Sequence, residues 1–122
     1  MAEQGLGIAR NDSRESPTVS VVIPTYNRED CIHVAIESVL NQTHPPEEII
    51  VADDGSTDDT VTIARRYPSV RVLELPHISS AVARNRGIEA AEGELVAFLD
   101  SDDLWLPEKL ELQLRLLRAA PQ

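Results

Sequence analysis

Cysteine is nearly absent from this chain. Cys31 is the only one in 122 residues, so no internal disulfide can form. A single thiol suits a reducing compartment. Long apolar runs are also missing, and no stretch approaches the roughly 20 residues of a membrane span. The N-terminus lacks the basic-then-apolar pattern of a secretory signal. The expected location is therefore cytoplasmic, with the inner face of a membrane open as a place of work. Positive charge is scarce, with 11 Lys and Arg against 21 Asp and Glu, for a net charge of −10. That balance argues against non-specific nucleic-acid binding, which needs a basic footprint. His33, His44 and His77 show no metal-ligand spacing.

What remains is enough for one small domain. At 42% apolar the chain can fill a single core. Residues 1–17 are polar and aperiodic and read as a disordered tail. The β-branched run over 19–23, stopped by Pro24, predicts a first strand. Asn27 is expected to cap a following helix, with Glu29 and Asp30 near its positive end. Ile32, Ala35, Ile36, Val39 and Leu40 give that helix its buried stripe. A second strand over 48–52 leads into Asp53-Asp54-Gly55, where Gly55 can take positive φ. Ser56 or Thr57 is expected to cap a second helix reaching Tyr67. A third strand spans 70–75. A third helix starts at Ser79 or Ser80, runs to Ala91, and has Gly93 as its stop. A fourth strand covers 94–99, and Pro107 opens a last helix ending near Arg118.

Strict alternation of strands and helices predicts an α/β fold: a Rossmann-like parallel sheet of about four strands with helices on both faces. Ligands of such sheets bind beyond the carboxyl ends of the strands. Those ends are Pro24-Thr25-Tyr26-Asn27, Asp53-Asp54 and Asp100-Ser101-Asp102-Asp103. Clustered carboxylates raise each other's pKa, and a bound divalent cation offsets the repulsion. Mg²⁺ or Mn²⁺, completing its shell with phosphate oxygens and water, reconciles an acidic rim with an anionic ligand. Asp102 is the first candidate ligand, assisted by Asp100 or Asp103. Asp54 can accept from a ring N–H such as the imide of uracil. Tyr26 can lie along a base, and Thr25 offers a hydroxyl. Arg84 can reach a phosphate, whereas Arg86 reads as a solvated basic residue. Cys31 reads as a core residue, and Trp105 as packing under the last helix. The competing reading for Asp53, Asp54, Asp102 and Asp103 is turn formation or helix capping.

The ordered stretches 19–28, 51–60, 83–88 and 93–103 resemble the inverting family-two glycosyltransferases with the GT-A fold. The similarity runs from Val19 to Leu117. It implies that residues 18–122 form the nucleotide-sugar-binding half of such an enzyme, truncated before its acceptor half. The donor would be a nucleotide-diphosphate sugar, most often a UDP-sugar. By that resemblance Pro24, Thr25, Tyr26, Asn27, Asp53, Asp54, Arg84, Asp100 and Ser101 fall in the donor site. Asp100 and Asp102 would form the Asp-x-Asp motif, with Asp103 beside them at the metal. The resemblance places the catalytic base in the second half, so none is expected here. The acceptor, whether glycan, lipid or small molecule, is not readable. Where the family usually carries a glycine-containing loop, this chain has Leu75-Pro76-His77-Ile78-Ser79-Ser80.

Competing functions are a non-catalytic nucleotide-binding or assembly module that needs a partner, and a phosphotransfer hydrolase with Asp100 as nucleophile. Leu104 stands where the hydrolase needs a hydroxyl or small β-branched residue. An open sheet edge and the leucines at 110, 112, 114, 116 and 117 predict self-association.

Overall fold

The computed structural model of the protein describes residues 17–119, so the expected tail falls almost wholly outside the described residues. The strands β1 (Val19–Thr25), β2 (Glu48–Asp53), β3 (Val70–Glu74) and β4 (Leu95–Phe98) alternate with the helices α1 (Ile32–Leu40), α2 (Thr60–Ala64), α3 (Ser80–Ala90) and α4 (Lys109–Ala119). All strand pairs are parallel, in the order β3-β2-β1-β4.

Burial explains the strand sequences. β1 is buried at every position and β2 at all but its first, so both read as continuous apolar runs. β3 and β4 lie at the edges and are only partly covered. One face of the sheet packs Val21, Ile23, Ile49 and Val51 against Ile32, Ala35, Ile36 and Val39 of α1, with Trp105 and with Leu110 and Leu114 of α4. The other face packs Val22, Ile50 and Ala52 against Ala83 of α3. Helices therefore cover both faces, as the alternation predicts. Gly87 brings α3 close enough that a Cβ there would lie 2.4 Å from Val22 Cγ1.

Several local expectations fail for physical reasons. Pro24 does not stop β1; it pairs with Ala52, and the strand continues to Thr25. Leu99 N donates to Val22 O on the β4 side, and alternation turns the Pro24 nitrogen to that same side. The last β1–β4 pair is Val22 with Phe98, so the missing N–H falls beyond the ladder. Asn27 does not cap α1. The N-cap is Cys31, without a side-chain cap bond, and Glu29 and Asp30 precede the first turn. α2 starts at Thr60 after Asp59, so neither Ser56 nor Thr57 caps it, and beyond Ala64 only single turns continue to Tyr67. Leu40, expected in the buried stripe, is exposed. Gly93 is not the helix stop, since α3 ends at Ala90 and is capped by Ala91 in extended conformation. Its N–H instead donates to Ser20 Oγ, and a Cβ there would meet Ser20 N at 2.8 Å. Cys31 is only partly buried, so it is not a core residue.

Ser79 does cap α3, accepting from Val82 N at 3.1 Å. Gln42, which sequence reading passed over, is buried between two helices. It donates to Ser38 O and Leu106 O, and accepts from Leu110 N, tying the end of α1 to the start of α4.

Gly87→Ala should destabilise the fold although alanine is the better helix former. Helix propensity favours the change by about 1 kcal/mol, whereas overpacking against Val22 costs about 1–3 kcal/mol. Urea unfolding should show a net loss that shrinks when Val22→Ala is added. A second expectation concerns Tyr67, whose hydroxyl donates to Glu37 at 2.6 Å. That bond, aided by burial and by the Glu37 charge, pushes Tyr67 up to about 12. A raised pKa stabilises the fold below the unfolded value near 10, and this is lost as pH rises through about 12. Unfolding curves across that window should flatten in Tyr67→Phe.

Candidate functional site

The loops after the strands form one bonded surface. Asp53, buried at the end of β2, accepts from Gly55 N at 3.1 Å, Ser56 N at 2.8 Å and the Ser56 hydroxyl. Ser56 Oγ then accepts from Asn27 N at 2.8 Å. Asn27, in the left-handed region at φ 52°, accepts in return from Thr57 N through Oδ1 at 2.8 Å. Asparagine tolerates this conformation better than most residues. Arg28 N donates to Thr60 Oγ1, Glu29 N to Asp58 and Asp59 N to Glu29. Burial alone would raise the Asp58 carboxyl; hydrogen bonds from the Thr60 hydroxyl, from Thr60 N and from Glu29 N together hold it below the usual carboxylate range.

The β3–α3 loop joins the same surface. Ile78 N donates to Asp54 Oδ1 at 2.9 Å. His77 Nδ1 lies 3.0 Å from the Asp54 carbonyl oxygen and 3.2 Å from Asp54 Oδ2. Gly55, at φ +81°, permits this approach, since a Cβ there would stand 2.9 Å from His77 N. The loop after β4 is attached more loosely. Cys31 Sγ lies 3.5 Å from Ser101 O, Arg84 is 3.4 Å from Asp100, and Arg28 is 3.9 Å from Asp102.

Between these loops runs a cleft of 540 Å³. Pro24, Thr25, Tyr26, Asn27, Asp54, Arg84, Asp100, Ser101 and Asp102 all line it. Asp53 and Asp103 do not. Asp53 spends its carboxylate on the turn, and Asp103 accepts from Leu104 N at 2.8 Å. Arg28 and Ser80 also line the cleft and were missed by sequence reading. Arg28 directly follows Asn27, so only its charge beside an acidic rim could have marked it. Arg86 pairs with Glu89 on the exposed face of α3, as the sequence suggested.

The cleft has two chemically distinct ends. At one end Thr25 is buried, and its Oγ1 makes no hydrogen bond among the described residues. Asp54, whose N–H donates to Thr25 O, is buried beside it, and Tyr26 lines the same cleft. At the other end Asp100 and Asp102 are solvent-exposed carboxylates with arginines facing them. Among the described residues no group of three or more His, Cys, Asp or Glu is gathered to hold a metal. Two hard oxygen donors still suit Mg²⁺ or Mn²⁺, which take one or two carboxylates and leave the remaining positions to phosphate and water.

A family model described as "Glycosyl transferase family 2" matches residues 20–122. This chain belongs to glycosyltransferase family 2. It is 47% identical over 106 residues to the putative teichuronic acid biosynthesis glycosyltransferase TuaG of Bacillus subtilis, covering 83% of this chain and 42% of that relative. Among solved structures, S. aureus TarS 1-349 in complex with UDP-GlcNAc is similar at TM-score 0.75 and 36% identity, over 84% of this chain and 31% of that one. A mannosyltransferase, PcManGT from Pyrobaculum calidifontis in complex with GDP-Man and Mn²⁺, is similar at TM-score 0.70 and 32% identity, over 75% of this chain and 29% of that one. The chain thus spans less than half the length of these relatives. Among the described residues no helix is long and apolar enough to cross a membrane.

The cleft geometry separates structural from exposed acids. Asp53→Ala should cost about 2–3 kcal/mol, because it leaves charge-assisted donors without a partner. Asp102→Ala should stay within about 0.5 kcal/mol, the range for exposed sites. Urea unfolding of both variants tests this, and equal losses would contradict the division.

Proposed function

We propose that this domain binds a nucleotide-diphosphate sugar, with uridine the favoured nucleoside, as the donor part of a glycosyltransferase. The observation that carries the reading is the two-ended cleft. A buried hydroxyl without a partner among the described residues, an aromatic ring and a buried carboxylate stand at one end; two exposed carboxylates, each with an arginine near it, stand at the other.

Thr25, Tyr26 and Asp54 would hold the nucleoside. Ile78 N fixes one Asp54 oxygen, which orients the carboxylate toward a ring N–H. Pro24, Asn27 and Ser101 shape the wall. Asp100 and Asp102 would hold a divalent cation, and when bound it supplies neutralising charge for the departing diphosphate. Arg84 and Arg28, beside those two carboxylates, would offer donors to phosphate oxygens. Among the described residues we assign no general base. Asp54 is bonded to its loop, and Asp100 and Asp102 face the arginines. Activation of the acceptor, and the acceptor's identity, would lie with polypeptide that the longer relatives carry.

Calorimetric titration with UDP, with and without Mn²⁺, tests the proposal. Binding should require the metal and weaken in Asp102→Ala by roughly 10–100-fold, the scale for losing a supporting group at a metal site. Binding indifferent to both metal and Asp102 would refute the assignment of the acidic end.

A further inference from the structure

His77 makes two contacts at once, one with each aromatic or acidic group at the nucleoside end of the cleft. Its ring stacks on Tyr26 with centroids 4.3 Å apart and planes 19° from parallel. Its Nδ1 lies 3.0 Å from Asp54 O and 3.2 Å from Asp54 Oδ2. Both of those atoms are acceptors, so the ring hydrogen belongs on Nδ1. The backbone behind it is pinned: Leu75 N donates to Asp53 O, Ile78 N donates to Asp54 Oδ1, and Gly55 lies against His77 N. His77 itself does not line the cleft, whereas Tyr26 and Asp54 do.

We infer that His77 is a positioning residue for nucleobase recognition. One imidazole sets the plane of Tyr26 and the rotation of Asp54 from outside the cleft, so both present themselves to the base together. This inference rests on the proposed nucleoside site and deepens it. Gly55 on the opposite loop lets the backbone approach at His77 N, where a Cβ would stand 2.9 Å away. With one face of Tyr26 covered by His77, a base meets the other face or the ring edge. With Nδ1–H shared between Asp54 O and Oδ2 and with Ile78 N–H on Oδ1, the carboxylate keeps lone pairs free for an outside N–H donor. Selectivity for a base with a ring N–H follows from that arrangement.

The test compares UDP with inorganic pyrophosphate, each with Mn²⁺, by calorimetry. His77→Ala should weaken UDP by roughly five- to tenfold, the scale for losing a ring stack and a hydrogen bond. Pyrophosphate, which never reaches the nucleoside end, should bind unchanged. His77→Phe keeps the stack without the hydrogen bond and should fall between the two. Unchanged UDP affinity in His77→Ala would overturn the inference, as would equal losses for UDP and pyrophosphate, which denote general loosening. A wild-type protein that binds UDP no better than pyrophosphate would instead sink the nucleoside site itself, and this inference with it. Nitrogen NMR of the ligand-free protein adds an independent check, because the inference requires the hydrogen on Nδ1.

Discussion

Asp53 accepts three hydrogen bonds from the turn that follows it, and the loops around the cleft depend on that one carboxylate. A parallel sheet ends in loops whose backbone groups have no ladder partner, and burial makes each of them costly unless it is satisfied. Here side chains do most of that work across loops. Asp53 organises Ser56, Ser56 receives Asn27 N, and Asn27 receives Thr57 N. One step further along, Asp58 receives Glu29 N and Glu29 receives Asp59 N. Much of the acidity above the sheet is therefore structural. At Asp58 such hydrogen bonds hold the carboxyl below the usual carboxylate range. The Asp100 and Asp102 carboxylates accept no backbone N–H among the described residues, and they face the cleft.

This division explains how much could be read from the chain. The strands were legible because a parallel sheet covered on both faces demands continuous apolar runs, and 19–23 and 48–52 supply them. The helices were legible from apolar spacing, as with Ile32, Ala35, Ile36 and Val39. The caps were not. Asn27 and Ser56 look like local caps, but their partners lie about 30 residues away, in the neighbouring loop. A capping rule looks only a few residues ahead. The same limitation hid Gln42, whose bonds to Leu106 and Leu110 are 64 and 68 residues distant. It also hid the difference between Asp53 and Asp54, which are adjacent in sequence and point to different tasks.

Most of the cleft lining was nonetheless foreseeable. Once the alternation places all strand ends on one rim, the side chains just after β1, β2 and β4 must meet there. Arg28 and Ser80 escaped notice because nothing in their local pattern separates them from ordinary loop and helix residues. The expected open edge is present, since β4 pairs only with β1 among the described residues. Along α4, Leu110 and Leu114 enter the core whereas Leu112, Leu116 and Leu117 stay exposed. These surfaces leave room for a contact without naming what makes it.

The central claim is that a pre-bonded set of loops holds a nucleoside at Thr25, Tyr26 and Asp54 and a metal-bound diphosphate at Asp100 and Asp102. A crystal structure of this chain grown with UDP and Mn²⁺ tests it most directly. The account predicts the base against Tyr26 with its N–H on Asp54, the metal on the Asp100–Asp102 loop, and the Asp53, Ser56 and Asn27 bonds unchanged. Nucleotide bound elsewhere, or bound here only after those bonds break, would contradict it.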